Sequence, residues 1–269
     1  EVGALEQPVP TGELLAMDAD GSDNVVLTGY RSKSGDTRYS QVVDFLPDDP
    51  DAIVVFSVQG STKEPFLDLY KMKVSNGRKA SLGRMPLRMY KSTGDSLRII
   101  TNSKGEALAM TSSDPNENNQ VTLMVRSSVD DDWQVAFQAE SFDSFFNPLV
   151  FLADDKTLVG LSTIETDTDA VATYNIDTKK HTVLAAHEMV DVEPILHEVR
   201  GQVQEVIGAE YEYKDLSATY FSEVKNTDEQ RILASLRQAF KGSVVSITSS
   251  TYDGSKMIVA VGGINQPTA

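Results

Sequence analysis

The chain has 269 residues, 40% of them apolar, enough to bury a core rather than remain disordered. Its 24 Lys and Arg against 40 Asp and Glu give a net charge of −16, a surface that repels phosphate backbones and argues against a nucleic-acid partner. There is no Cys, which excludes disulfides, thiolate catalysis and cysteine-ligated zinc.

No apolar run reaches the roughly 20 residues of a membrane helix, so no membrane span is expected. The opening EVGALEQPVP has no initiator Met, basic region or apolar segment, and does not read as a signal peptide. A first residue Glu1 suggests a processed or excised piece of something longer. Absence of Cys does not fix the compartment, since many secreted bacterial proteins also lack it; a periplasmic or secreted location is slightly favoured over a cytoplasmic one.

In chain order, Gly12 to Gly29 reads as a hairpin turning at Asp20-Gly21. Tyr30 to Tyr39 is charged and Ser-rich, and reads as a loop. Val42 to Leu46 and Ala52 to Val58 are strands, because Pro47-Asp48-Asp49-Pro50 between them cannot continue either ladder. Leu67 to Leu82 is a second hairpin, turning at Asn76-Gly77. Together these four strands make one unit.

The plan then recurs. Leu97 to Thr101 and Glu106 to Thr111 flank Asn102-Ser103-Lys104-Gly105, and the polar insertion SSDPNENNQ leads to the hairpin Thr122 to Phe137. Leu149 to Leu152 and Thr157 to Leu161 flank Ala153-Asp154-Asp155-Lys156. They lead to VATYNIDTKKHTVL, Val171 to Leu184, the clearest hairpin of the set. Taking Gly21, Gly77, Asp131 and Lys179 as turn markers, these hairpins recur at intervals of 56, 54 and 48 residues. A drifting period of about fifty residues with several strands per unit points to β-propeller blades.

The last third is less regular. Pro194 to Val199 and Gln202 to Gly208 pair around Arg200-Gly201, while Glu210 to Tyr220 carries no clean alternation. A helix is expected over Asp228 to Phe240, with Thr227 and Gln230 as a capping box, Ile232, Leu233, Leu236 and Phe240 on one face, and Gly242 ending it. Ser243 to Thr248 and Lys256 to Val261 form a final hairpin around Asp253-Gly254. The fold class expected is therefore all-β: a single β-propeller domain or propeller fragment over residues 1–269, about five blades' worth of four-stranded sheets, with one short helix near the C-terminus. The sequence opens on an outer hairpin and closes on an inner one. Either the ends share a composite blade, or the chain is an arc of a larger propeller.

Catalytic and metal signatures are weak throughout. No Gly-x-Ser-x-Gly pentapeptide exists, and Gly160-Leu161-Ser162 lies at a strand end without the second glycine. His181, His187 and His197 share no metal spacing. No Gly-rich phosphate loop runs from a strand into a helix. Asp18, Asp20 and Asp23 around Gly21 resemble part of a calcium loop, but the ligand order misses the twelve-residue pattern and a hairpin turn is the better reading. Asp130-Asp131-Asp132 and Asp48-Asp49-Pro50-Asp51 also read as turns, and Trp133 as packing. Hence no catalytic, cofactor-binding or metal-ligating residue is expected, and the chain alone is expected not to be an enzyme.

AFKGSVVSITSSTYDGSKMIVAV (Ala239 to Val261) resembles the last propeller blade of the prolyl oligopeptidase family of serine peptidases, which includes dipeptidyl and acylaminoacyl peptidases. There a short helix leads through Phe-Pro-Gly into a strand ending in Ser, then Asp-Gly and a second strand. Lys241 replaces the usual proline. Val43 to Ser57 and His187 to Glu212 are similar to other segments of that family. The resemblance implies a non-catalytic propeller that restricts and orients peptide substrates. The partner implied is a C-terminal α/β-hydrolase domain, not contained in this chain, that carries the triad. The first blades are expected to be missing as well. A stand-alone propeller binding a protein or glycan is the reading of a different class.

Overall fold

The computed structural model describes residues 13–32, 40–61, 64–86, 97–114, 118–140, 143–213, 215–221 and 228–262. The chain forms two compact units. The first runs to Ile99 with Lys104–Glu106 and Ser112–Asp114; the second takes Ile100–Ser103, Ala107–Thr111 and Pro115 onward.

In the first unit, β1 (Leu14–Ala16) and β2 (Val25–Thr28) pair as the expected hairpin. Gly21 at its turn has a φ of 85°, a left-handed conformation that favours glycine. The strands β3 (Gln41–Asp44), β4 (Ala52–Ser61), β5 (Glu64–Lys73) and β6 (Lys79–Pro86) form an antiparallel meander in that order. Alternate positions of these strands feed one core, with Ile53, Val55 and Met72 packing on Leu27. Gly77, in the β5–β6 turn, lies where an added Cβ would be 2.8 Å from the Leu27 carbonyl oxygen, so both its φ of 69° and its close approach require glycine.

The meander then recurs. The strands β7 (Arg98–Thr101), β8 (Ala107–Asp114), β9 (Gln120–Val125) and β10 (Gln134–Ala139) form one four-stranded sheet. A further sheet consists of β11 (Phe146–Phe151), β12 (Thr157–Ser162), β13 (Ala170–Asn175) and β14 (Lys180–Ala185). Then come a three-stranded sheet, β15 (Glu193–Val199), β16 (Gln202–Tyr213) and β17 (Asp215–Tyr220), the helix α1 (Asp228–Ala239), and the hairpin β18 (Val244–Ser250) and β19 (Met257–Gly262). The core between the two four-stranded sheets holds Leu123, Phe146, Leu158 and Ala172, all fully buried.

The turns of these sheets meet. Ser103, in the β7–β8 turn, donates its N–H to Asp155 Oδ1 at 2.9 Å and its hydroxyl to Oδ2 at 3.0 Å. Asp155 lies in the β11–β12 turn. Gln202, where β16 begins, donates its side-chain amide to the Ser103 carbonyl at 3.4 Å. The leading hairpins of three successive sheets thus converge on one serine, the arrangement of blades set around a common axis.

The structure departs from the sequence expectations in three places. Glu210 to Tyr220, which reads as irregular, is strand: β16 runs to Tyr213 and pairs with β17 in unbroken register. Tyr and Glu do alternate there, but Tyr211 is only half-buried and Tyr213 exposed, so neither face of the strand reads as core. Second, Ser112 to Asp114 belongs to β8 instead of a polar insertion, and residues 115–117 of that stretch lie outside the described ones. Third, α1 buries only part of the expected face: Leu233 is buried and Leu236 half-buried. Gln230 and Leu233 are buried, while Ile232 and Phe240 are 37% and 44% exposed. Leu233 packs with Ile195 and Ile207 of the neighbouring sheet, and Gln230 donates to the Ile207 carbonyl, which turns Ile232 outward. Thr227 and residues 33–39 lie outside the described residues. The helix ends as expected, with Gly242 at a φ of 81°.

Candidate functional site

Two polar constellations stand out in the second unit, and both are built across strands. The first pairs Ser162 with His181, with Nε2 3.0 Å from Oγ. Ser162 ends β12 and His181 lies on β14, on either side of β13. Register places Ala170 opposite Ser162, Ala172 opposite Gly160, and Tyr174 opposite both Leu158 and His181. The positions of β13 between the two groups are therefore alanines, too small to block the imidazole. Strand twist carries His181 diagonally over them.

A serine within hydrogen-bond reach of a histidine meets the first geometric condition for an activated nucleophile. Its surroundings are largely apolar and the serine is buried. Ser162 is 1% exposed, its Oγ also accepts the Ile164 N–H at 3.3 Å, and the His181 ring stands edge-on to Phe146 at 5.7 Å and to Phe137 at 6.1 Å. Burial pushes the His181 pKa below its ordinary value, with the Glu165 charge acting weakly the other way, so the ring is neutral at pH 7. The pair is a satisfied polar contact inside an apolar core.

The second constellation lines a cleft of about 360 Å³, within the range of ligand pockets. One wall is β15, another β18, and α1 supplies Leu233 and Arg237. Leu233 and Arg237 share a helix face by their i, i+4 spacing. The Arg237 guanidinium forms an ion pair with Glu210 of β16 through Nη2 and donates to the Tyr220 hydroxyl through Nη1 at 3.3 Å. Its Nε is buried with no acceptor. Glu198, at the end of β15, is exposed on the same cleft. Two carboxylates against one guanidinium leave the lining with an excess negative charge.

The other residues singled out in the sequence are turn and packing groups. Asp20 accepts the Ser22 N–H at 2.9 Å, and hydrogen bonding from Ser22 lowers its pKa. Asp49 pairs with Lys71 at 2.7 Å, and Asp131 accepts the Ser128 hydroxyl. Trp133 lies under the Arg126 guanidinium, 4.5 Å from its ring centre. His187 stacks on Tyr211 at 4.5 Å and lies 5.4 Å from Tyr213. His197 is a half-buried residue of β15. Among the described residues no three His, Asp or Glu side chains converge as a metal site would require. No described helix is long and apolar enough to cross a membrane.

Neither constellation was evident from spacing. Ser162 and His181 are 19 residues apart and Glu210 and Arg237 are 27 apart. Only the helix carried a usable signal: a cation four residues after the buried Leu233 has to face the same neighbour as that leucine.

Consecutive four-stranded antiparallel meanders whose leading turns converge define a β-propeller, as the spacing of the hairpins predicts. No protein-family model and no curated protein matches the chain. Among solved structures the chain is similar to TolB from Acinetobacter baumannii, at 12% identity over 93% of this chain and 56% of that one, with a TM-score of 0.40. It is also similar to a chain from a structural and mechanistic analysis of two prolyl endopeptidases, at 11% identity, 91% and 37% coverage, and a TM-score of 0.47. A further likeness is to the β-propeller domain of the Trilobed protease from Pyrococcus furiosus, at 7% identity, 80% and 66% coverage, and a TM-score of 0.39. The chain thus spans between 37% and 66% of the length of these proteins. The blade assignment rests on the sheets described above.

Proposed function

We propose that this chain is the non-catalytic propeller of a serine peptidase of the prolyl oligopeptidase type. It restricts and orients peptides for an α/β-hydrolase domain carried by the same parent protein. One observation carries the reading. The segment that resembles that family in sequence folds as the resemblance implies: α1 ends at Ala239, Gly242 breaks it, β18 runs to Ser250, and Asp253-Gly254 turns the chain into β19.

The division of labour follows from the chemistry. Peptide hydrolysis needs an accessible nucleophile, a base and a stabilised oxyanion. Ser162, which meets His181, is 1% exposed, and on this reading the hydrolytic groups belong to the partner domain. On this reading the parent reading frame encodes a Gly-x-Ser-x-Gly hydrolase. Removing the propeller segment from that parent is expected to let long or folded peptides be cleaved that the intact protein excludes. A parent with no such hydrolase, or one whose substrate-length profile is unchanged by the deletion, would overturn the proposal.

A further inference from the structure

The cleft between β15 and β18 is lined in an unusual way. A strand that shows a face to a cavity contributes alternate residues, because successive side chains point to opposite sides. Here β18 contributes Val245 to Ser250 without a gap, and β15 contributes Pro194, Ile195 and Leu196 in succession. Unbroken runs mean that the strands present their backbone edges. Both strands are outermost in their sheets: the orders are β15-β16-β17 and β18-β19. Among the described residues the two edges form no ladder with each other.

Outer strand edges along a cleft of mixed apolar and hydroxyl lining invite an extended chain. Pro194 removes one donor near the start of β15, which an edge strand tolerates. The charge of the cleft selects further. Arg237 is neutralised by Glu210, whereas Glu198 forms no ion pair among the described residues, and the whole chain carries −16. An acidic ligand would be repelled. A basic one would not.

We infer that this cleft takes an extended peptide segment carrying a Lys or Arg side chain, which adds its backbone to the edge of β18 or β15 and directs its cation to Glu198. The inference deepens the peptide-guiding role proposed above and rests on it for the choice of a peptide as ligand. Because it concerns binding to this chain alone, it can fail while the association with a hydrolase stands.

The test uses the full chain and fluorescein-labelled, N-acetylated, C-amidated hexapeptides of alternating Val and Thr with one central Lys, so that the side chain carries the only positive charge. Saturable anisotropy is expected for the Lys peptide, and binding about threefold weaker for its Glu counterpart or for E198Q, the size of an exposed ion pair. N-methylation of every second backbone amide, in each of the two frames, is expected to cost at least about tenfold in one frame, since strand pairing uses alternate amides. Ser249 is exposed and lines the cleft, so S249W should fill it and abolish binding while leaving the melting temperature unchanged. No saturation at millimolar peptide, equal affinity of both N-methylated frames with the parent peptide, or full binding to folded S249W would each overturn the inference. Equal affinity of the Lys and Glu peptides would overturn the assignment to Glu198.

Discussion

The β11–β14 sheet and the β15–β19 region are neighbours built from the same kind of hairpin, yet they treat polar groups in opposite ways. In the first, a buried serine and a half-buried histidine meet at 3.0 Å beside Phe146 and Phe137. In the second, an arginine and a glutamate meet at the wall of an open cleft. The serine of the first pair is buried, and the accessible pair has no nucleophile. Residue type and distance are therefore insufficient evidence of a site. All of these sheets have edge strands; what separates the two regions is that the edges of β15 and β18 bound a cleft.

The sharpest way to test that contrast is to remove core from each side. Phe146 is fully buried among Phe137, Tyr174 and His181, and Phe146→Ala is expected to cost about 3–5 kcal/mol in urea unfolding. Ile258 of β19 is 66% exposed, and Ile258→Ala should stay within about 0.5 kcal/mol. Equal losses at the two positions would show that the C-terminal hairpin is as closed as the complete sheet.

The next effect concerns the cleft wall. Arg237 and Glu210 have side chains 19% and 27% exposed, so deleting the cation leaves a carboxylate in a partly dry place. Arg237→Met should destabilise by roughly 2 kcal/mol, below the range for fully buried pairs. The double change with Glu210→Gln should recover part of that loss. A single variant as stable as the parent would mean that the pair is solvated and adds nothing.

How much of this could be read from the chain depends on which forces act locally. The hairpins were legible because Asn76-Gly77, Asp20-Gly21 and Asp253-Gly254 supply the positive φ that their turns need, and because β-branched runs alternate on either side. The helix was legible in extent, but its buried face only in part. Apolar count selects Ile232, Leu233, Leu236 and Phe240, whereas the packing partner, the sheet holding Ile195 and Ile207, keeps Leu233 and adds Gln230, and Arg237 follows it into the cleft. The β16–β17 pair was missed because Tyr and Glu alternate without marking an inside. The Ser162–His181 contact depends on two alanines and on the twist of a strand between them, which no spacing rule encodes.

Ser162→Ala probes that contact. It leaves an imidazole nitrogen without its partner in a largely apolar place, at a cost of about 1–2 kcal/mol. Replacing both groups, Ser162→Ala with His181→Leu, should be closer to neutral, since the buried polar atoms go together. Neither Ser162 nor any variant should take a fluorophosphonate label; a label lost on Ser162→Ala would reverse the reading of the pair as structural. The histidine also sets a pH response. Its folded pKa is depressed, so the unfolded chain binds the proton more readily. Stability is full above the unfolded value near 6.5 and declines as pH falls below it toward the folded value. His181→Gln should flatten that part of the stability–pH curve.

The smallest effect lies in the turn that closes the β18–β19 hairpin, where the molecule is most open. Asp253 Oδ1 accepts the Thr251 hydroxyl at 2.6 Å, the Ser255 N–H at 3.0 Å and the Ser255 hydroxyl at 2.8 Å. These bonds favour the carboxylate and lower its pKa to about 2, the Thr251 hydroxyl contributing most. The group is fully exposed, so the effect belongs to the turn and not to burial. Because the folded pKa is depressed, the turn's stabilisation is present above the unfolded Asp value near 3.9 and is lost as pH falls through about 2. Carbon-detected NMR of the side-chain carboxyl should show a midpoint near 2, and Asp253→Asn should remove the corresponding acid-limb slope with little change at neutral pH. A midpoint near 4 would mean that the three bonds do not persist in solution. The hairpin bounding the cleft would then be held by its strands alone, and its edge would be looser than that of any complete sheet in the chain.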